Sequence, residues 1–205
     1  MSKTRLEAFS DGVLAIIITI MVLELKVPHG TELAALRPIL PVFLSYVMSF
    51  VYIGIYWNNH HHLFQLVDDV DGSVLWANLH LLFWLSLYPF TTAWLDESAL
   101  ARTPTVIYGV NLLAAAVAFF LLQLRILRVP GTGARVREAM GNDIKGKLSP
   151  VLYLTGIALA FVEPWLALVP YVAVALMWLV PDRRVERFLE QERTAGEHGG
   201  VRADP

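Results

Sequence analysis

Long apolar segments that alternate with short clusters of charge constrain this chain more than any other feature. Hydrophobic residues make up 56% of its 205 residues, whereas Asp, Glu, Lys and Arg together make up 17%. A soluble domain of this size surrounds one core with polar residues, and these apolar segments are too long and too many for that pattern. Since a bilayer core of roughly 30 Å needs about 20 mostly apolar residues per helix, the sequence predicts an all-α integral membrane protein.

Six apolar segments are the candidate membrane-spanning helices. They are residues 9–25, 39–57, 73–95, 104–127, 148–162 and 165–180. The second is expected to continue as helix through Phe64, and Pro89 is expected to bend the third. The last two are short and are joined by Glu163 and Pro164. That pair fits a tight helical hairpin at the membrane surface or, alternatively, one re-entrant hairpin.

The positions of Lys and Arg predict the orientation, because positively charged loops remain in the cytoplasm. With six spans and both termini cytoplasmic, thirteen of the sixteen basic residues lie inside, and Lys26, Arg37 and Arg102 lie outside. The reverse topology inverts this ratio. We therefore expect a multi-pass protein of the cell membrane, with one six-helix domain over residues 1–182 and a charged cytoplasmic tail over residues 183–205.

Composition and motifs exclude several classes of partner and site. The formal net charge is −2 and no basic face is interleaved with aromatic residues, so nucleic acid is not an expected partner. The chain has no cysteine, which excludes disulfides and thiolate metal sites. The spans contain no Ser–His or HExxH arrangement that would indicate an enzyme.

The first predicted helix differs from the others in its length. Its uninterrupted apolar stretch, residues 13–23, covers only about 17 Å at 1.5 Å per residue. Polar groups lie close to both ends, at Asp11 and Glu24, and Thr19 lies in the middle. Such a helix suits the interior of a bundle or a pore better than a position facing lipid.

Seven residues of this helix share one face through i, i+3, i+4 and i+7 spacing. They are Phe9, Gly12, Val13, Ile16, Thr19, Ile20 and Leu23. If identical copies surround an axis, Ile16, Ile20 and Leu23 form apolar rings about one turn apart, and such rings can gate ions by excluding water. Ordinary helix packing also accounts for the stripe, so periodicity alone leaves both interpretations open.

Three segments carry a resemblance to a known family. The first helix reads RLEAFSDGVLAIIITIMVLEL, and the second and third contain WNNHHHLF and ANLHLLFWLSLYPFTTAW. The chain is similar to the transmembrane protein 175 family. The motif that carries the similarity is an Arg, three residues, Phe-Ser-Asp and then an apolar helix that contains a Thr. Members of this family are the potassium channels of endosomes and lysosomes and their bacterial homologues. The motif residues here are Arg5, Phe9, Ser10, Asp11 and Thr19.

The resemblance implies a homotetramer of six-helix chains in which the first helices line a central pore. The permeant ion would be potassium, with no cofactor, and the partners would be further copies of the chain, the lipid bilayer and monovalent cations. By position, the gate and selectivity element would be Ile16, Ile20 and Leu23, with Thr19 supporting the ring at Ile16. The sequence lacks a TVGYG-like carbonyl filter, so discrimination would rest on the lower cost of dehydrating potassium than sodium.

The resemblance also implies a hydrogen-bonded brace around the cytoplasmic end of the pore helix. By position, its members are Arg5, Phe9, Ser10, Asp11, Trp57, His60 and His61. Which of the three adjacent histidines makes the contact is left open by the sequence. Asp11 has a second interpretation, because a helix dipole favours an acidic residue near the N-terminus by ~0.3–1 kcal/mol. Asn78 and His80 are expected to hold helices together.

Three adjacent histidines are also compatible with a metal site. Neighbours on a helix point about 100° apart, so His60, His61 and His62 cannot all face one ion, and the usual i, i+4 pair is absent. The acidic turn at residues 68–71 is explained by solvent exposure. We therefore expect no metal, and interpret the histidines as a pH-sensitive part of the brace because His titrates near neutrality.

The function predicted from the sequence is a potassium-permeable cation channel. A proton- or cation-coupled secondary transporter is the alternative. A transporter predicts inverted repeats and broken helices with charge buried at mid-depth. No such repeat is evident, and Thr19 is the polar residue at the centre of the first helix.

Overall fold

Every regular element of the described residues, which are 2–67, 69–133, 136–137 and 143–179, is helical. In this computed structural model a 3-10 helix, Leu33–Ile39, precedes the second α-helix. The α-helices are α1 (Lys3–Leu23), α2 (Leu40–Gln65), α3 (Gly72–Ser86), α4 (Tyr88–Glu97), α5 (Arg102–Ile126), α6 (Ile144–Ala160) and α7 (Pro164–Leu179). The all-α prediction is confirmed. The tail predicted over residues 183–205 lies outside the described residues.

Three segments are long and apolar enough to cross a membrane, namely Lys3–Leu23, Leu33–Gln65 and Arg102–Ile126. Pro164–Leu179 is a shorter apolar helix of 16 residues, and α6 has 17. At 1.5 Å per residue, α6 and α7 are each about 25 Å long, which approaches the thickness of the hydrocarbon core. These apolar helices support a membrane protein.

α1 begins earlier than the sequence suggested. It starts at Lys3, after Ser2, whose side chain makes no capping hydrogen bond, and the predicted start at residue 9 is wrong. The additional turn is helical because Leu6 is buried against the bundle with 2% of its surface exposed. Asp11 consequently lies well beyond the first turn, so the interpretation of that residue as a partner of the helix dipole is also wrong.

Pro89 interrupts the third predicted span, as expected. α3 ends at Ser86 and α4 begins at Tyr88, with Leu87 between them. Proline has no N–H to donate, and its ring collides with the carbonyl four residues earlier. The predicted span 73–95 is therefore built from two consecutive helices.

The helices pack in two groups that share α2 and α5. α1 packs against α2, α3 and α4, whereas α6 and α7 pack against each other and against α5, and α7 also contacts α2. A short turn at residues 161–163 joins α6 to α7. At the open end of this pair, the Trp178 indole donates a 2.8 Å hydrogen bond to the Ser149 hydroxyl. Residues 144–179 thus form a helical hairpin.

Two glycines allow the hairpin to approach α5 closely. A Cβ atom added at Gly109 on α5 or at Gly156 on α6 would overlap the buried side chain of Tyr171 on α7. Small residues at such positions let membrane helices come close together. The position of the hairpin therefore depends on these two residues.

Candidate functional site

The two faces of α1 differ in what covers them. Toward its own chain, α1 buries Leu6, Ser10, Leu14, Ile17 and Met21. The predicted stripe lies on the other side, with Val13 half-buried and its other members exposed. The exposed fractions are 50% for Phe9, 59% for Ile16, 42% for Ile20 and 80% for Leu23. Packing within the described part of the chain therefore does not account for the stripe.

Thr19 lies in the middle of the exposed face and is bonded to its own helix. Its hydroxyl donates a 2.8 Å hydrogen bond to the backbone carbonyl of Ile16, three residues earlier. The hydroxyl is thereby satisfied without any partner from another helix. The bond joins Thr19 to the residue whose ring it is predicted to support.

A buried hydrogen-bond chain connects α1, α2 and α3 at the end of the bundle where α1 begins. His60 Nε2 lies 2.8 Å from Asn78 Oδ1, and Asn78 Nδ2 donates to the Ser10 hydroxyl over 2.9 Å. The Ser10 hydroxyl in turn donates to the carbonyl of Leu6 at 2.9 Å. Since Asn78 Oδ1 is an acceptor, His60 carries its proton on Nε2 in this arrangement. His60 is 2% exposed, and Asn78 and Ser10 are fully buried.

A second contact joins α1 to α2 on the exposed side of the same end. Trp57 Nε1 donates to Asp11 Oδ1 at 3.0 Å. The ring of His61 stacks on Trp57, with centroids 6.2 Å apart and planes at 17°. The Gln65 amide donates to His61 Nε2 over 2.9 Å. This contact fixes the indole and the imidazole beside the carboxylate.

The structure brings five of the seven predicted brace residues into these two contacts. Ser10 and His60 belong to the buried chain, and Asp11, Trp57 and His61 belong to the exposed one. Phe9 and Arg5 are both exposed at the same end. Within the described ranges, Arg5 takes part in no ion pair.

Asn78 is the residue that the predicted brace lacked. It lies between His60 and Ser10 and bonds both. Its signal in the sequence was an amide within an apolar helix, which indicated a contact between helices but not its partners. His80, the other polar residue singled out on α3, accepts a 3.0 Å hydrogen bond from Trp84 on the same helix.

The three histidines do not converge on one point, because His60 faces α3 whereas His61 and His62 lie beside Gln65 on their own helix. His60 bonds Asn78, and His61 Nε2 and His62 Nδ1 lie 2.9 and 3.5 Å from the side-chain amide of Gln65. Across the described residues, no group of three or more His, Cys, Asp or Glu is arranged to hold a metal ion. Asp68, from the acidic turn, lies outside the described residues.

Asp71 in the acidic turn has a structural role. Its Oδ1 accepts hydrogen bonds from the Val74 backbone N–H at 2.9 Å and from the Ser73 hydroxyl at 2.8 Å, and so caps α3. Both bonds hold the pKa of the Asp71 carboxyl below its usual value, and the bond from the Val74 N–H has the larger effect.

The opposite end of the bundle contains a cavity of about 330 Å³ between the ends of α1, α2 and α4. Four charged residues line it, namely Glu24, Lys26, Asp96 and Glu97. The Lys26 Nζ and Glu97 Oε1 atoms are 3.5 Å apart, and both side chains are largely exposed. This ion pair joins the segment that follows α1 to the end of α4, near the end of the exposed apolar face.

Comparison with known proteins connects this arrangement to one family. Residues 5–89 match the family model described as Endosomal/lysosomal potassium channel TMEM175. A protein of Chryseobacterium sp. named as a potassium channel is 55% identical over 191 residues, which cover 93% of this chain and 100% of that protein. The human protein named endosomal/lysosomal proton channel TMEM175 is 36% identical over 116 residues, which cover 51% of this chain and 23% of that protein.

A solved structure extends the similarity to most of the fold. The crystal structure of a lysosomal potassium-selective channel TMEM175 homolog from Chamaesiphon minutus aligns with a TM-score of 0.73 at 32% sequence identity. The alignment covers 87% of this chain and 96% of that chain.

Proposed function

This chain belongs to the TMEM175 family, a family of channels and not of enzymes, and from this premise we propose that it is a potassium-permeable cation channel. Four copies would assemble in the cell membrane, each with six spans and with both termini in the cytoplasm. α1 of each copy would line the central pore. The observation that carries the proposal is the exposed apolar face of α1.

The exposed face of α1 is better suited to lining a central pore shared by several copies than to contacting lipid. Ile16, Ile20 and Leu23 are exposed on a helix whose opposite side is already buried within the chain. Asp11 and Glu24, near the two ends of this apolar stretch, are exposed as well. Charged groups are costly toward the hydrocarbon of a bilayer but not toward a water-filled pore. A central axis therefore accommodates both the apolar and the charged residues of this surface.

The gate would consist of apolar side chains and not of carbonyl oxygens. Ile16 and Ile20 are four residues apart, so their rings would be separated by about 6 Å along the axis. An ion that passes such a ring must shed water without receiving a replacement ligand, which disfavours sodium more than potassium. The Thr19 hydroxyl, bonded to the Ile16 carbonyl, would hold the first ring in position. This mechanism predicts modest selectivity.

The contacts at the other end of α1 would act as a brace for the pore helix. Ser10 is tied to α3 and through it to α2, and Asp11 is tied directly to Trp57 on α2. Arg5 and Phe9 are exposed beside these contacts, where they would meet a neighbouring copy. Since the brace contains histidines, and histidine is the side chain that changes charge near neutral pH, conduction is expected to respond to pH through the brace.

Current measurement in planar bilayers tests the proposal, with purified protein and with potassium and sodium on opposite sides. We expect a passive current whose reversal potential favours potassium. Ile16→Asn, which makes one ring polar, should increase the current and reduce the preference for potassium. Leu154→Asn on α6 is the control, because Leu154 is similarly exposed, at 55%, but lies on another helix.

Two results would contradict the proposal. Potassium movement that requires the gradient of a second ion would identify a transporter. A current that changes equally in Ile16→Asn and Leu154→Asn would show that α1 does not line the pore.

A further inference from the structure

A second cavity, of about 60 Å³, lies between α2, α5, α6 and α7. Aromatic rings form much of its wall, contributed by Tyr52, Tyr56, Phe119, Phe120, Tyr153 and Trp178. Among the described residues, its lining includes none from α1. The cavity is therefore separate from the exposed face of α1 that is proposed to line the pore.

Two buried polar side chains in the lining have no partner. Tyr56 on α2 and Gln123 on α5 are 8% and 9% exposed. Within the described ranges, neither the Tyr56 hydroxyl nor the side-chain amide of Gln123 makes a hydrogen bond, and both residues line the cavity. Since buried polar groups are normally hydrogen-bonded, these two groups are available to a molecule that binds in the cavity.

The charge of the lining indicates the sign of that molecule. In the described part of the chain, Asp143 is the charged residue that lines the cavity. Its Oδ1 accepts a 2.8 Å hydrogen bond from the Gly146 N–H at the start of α6. A carboxylate and the faces of aromatic rings both attract a cation. The oxygens of Tyr56 and Gln123 can accept hydrogen bonds from N–H groups, so the lining favours an organic ammonium group.

The cavity lies close to an apolar surface at one end of the bundle. Phe120, which belongs to the lining, is 56% exposed, and Val117 and Leu121 beside it on α5 are 43% and 37% exposed. Lys145 Nζ lies 5.7 Å from the ring centroid of Trp178, another lining residue. In the proposed topology this end is cytoplasmic, and Trp and Lys are common at the depth of the lipid headgroups.

The size of the cavity suits a small group. A water molecule needs about 10–15 Å³ of such space, so this volume holds about four to six waters. A whole lipid is too large for it, whereas an ethanolammonium group of about four heavy atoms is comparable with that number of waters. The remainder of such a lipid would lie outside the cavity, against the exposed apolar residues of α5.

We propose that this cavity binds the ammonium headgroup of an ethanolamine phospholipid from the cytoplasmic leaflet. The ammonium would lie among the aromatic rings and donate hydrogen bonds to Tyr56, Gln123 and Asp143. The phosphate would lie near Lys145, and an acyl chain would follow Val117 and Leu121. This site rests on the proposed orientation in the membrane but not on ion conduction.

The same chemistry predicts which lipids are rejected. A choline headgroup carries a cation but has no N–H to donate, so it leaves the Tyr56 and Gln123 oxygens unpaired. A glycerol headgroup has hydroxyl donors but no positive charge to place beside Asp143. Ethanolamine combines the charge with the donors.

Native mass spectrometry tests the inference, using the full-length protein reconstituted with equal amounts of ethanolamine, choline and glycerol phospholipids that have identical acyl chains. We expect one ethanolamine lipid per chain to be retained in preference to the others. Gln123→Leu and Tyr56→Phe should each weaken this retention by about tenfold, because each removes a hydrogen bond to a charged group. Neither variant breaks a side-chain hydrogen bond within the described residues, so both are expected to fold.

Two further variants refine the test. Asp143→Asn removes the charge but keeps an oxygen to accept from the Gly146 N–H, and it should reduce the preference for ethanolamine over glycerol lipid. Tyr46→Phe is the control for Tyr56→Phe, because Tyr46 is on the same helix but lines the cavity at the opposite end. It should leave lipid retention unchanged.

The inference is overturned if the three lipids are retained equally, which would leave water as the occupant, or if Gln123→Leu and Tyr56→Phe retain the lipid normally. Thermal unfolding distinguishes a soluble ligand. Free ethanolamine that raises the unfolding temperature as much as the lipid does would overturn the assignment to a lipid. Because binding is measured without ion flux, failure of this site leaves the proposed channel function intact, and absence of a current leaves the site intact.

Discussion

The side-chain amide of Asn78 on α3 donates a 2.9 Å hydrogen bond to the hydroxyl of Ser10 on α1, and neither residue is exposed. The two residues are 68 positions apart in the chain. Asn78 also accepts from His60 on α2. One amide therefore links three helices at the end of the bundle from which the exposed face of α1 extends.

Removal of the Ser10 hydroxyl should destabilise the protein. Ser10→Ala leaves a buried N–H of Asn78 without an acceptor, and such a loss costs about 1–3 kcal/mol in the free energy of unfolding. Thermal unfolding in detergent measures the effect, with Ser86→Ala on the exposed side of α3 as the control. If Ser10 and Asn78 act as one unit, the double variant with Asn78→Ala should lose less than the sum of the two single variants.

The Trp57–Asp11 contact should affect conduction and assembly more than stability, because it is exposed to solvent. Asp11→Ala removes the acceptor of the indole N–H and should reduce potassium current or the fraction of tetramer. Asp11→Asn keeps a side-chain oxygen as acceptor and should retain more of both. Native mass spectrometry and bilayer recording provide the two measurements. Normal, pH-responsive current in Asp11→Ala would show that no brace is needed at this position.

The close approach of α6 to α7 should be sensitive to a single methyl group. Gly156→Ala places a Cβ against the ring of Tyr171, and overpacking of this kind costs about 1–3 kcal/mol. Gly54→Ala is the matched control, since no atom lies within 4 Å of a Cβ added there on α2. Unfolding temperatures in detergent should therefore fall for the first variant and remain unchanged or rise for the second. Equal unfolding temperatures for the two variants would mean that α6 and α7 move apart at no cost to accommodate the added methyl group.

Asp71 should make α3 sensitive to acid. Its folded-state pKa is lowered by the Val74 N–H and the Ser73 hydroxyl, so its contribution to stability is present above the ordinary Asp pKa of about 3.9 and is lost as pH falls toward the folded-state value. Asp71→Ala should lower the unfolding temperature at pH 7, and the difference from wild type should shrink as the pH falls below about 4. Asp69→Ala, two residues earlier, should show neither effect.

The lengths of the apolar segments predicted the positions of the helices well. The predicted segments correspond to observed helices, and the break at Pro89 follows from the missing N–H of proline. Periodicity also grouped Ile16, Ile20 and Leu23 on one face of α1. The start of α1 was predicted incorrectly because its first turn is stabilised by the burial of Leu6. That burial depends on neighbouring helices and not on the local sequence.

The resemblance in sequence identified most members of the contacts around α1 but not their pairing. Three consecutive histidines are equivalent in a sequence until the rotation of α2 is known. That rotation buries His60 against Asn78 and leaves His61 stacked on Trp57. The sequence likewise contained no sign of the charged cavity at the opposite end of the bundle, because that cavity forms only where the ends of α1, α2 and α4 meet.

The sequence by itself determined the class of protein, since long apolar segments fix a helical membrane protein and an ordered motif fixes the family. Tertiary structure alone decided which face of each helix is covered and which polar groups meet. The physical reason is that a helix is specified by neighbours three or four positions apart. A hydrogen bond such as that between Asn78 and Ser10 depends on how two helices, each formed independently, are packed and rotated against each other.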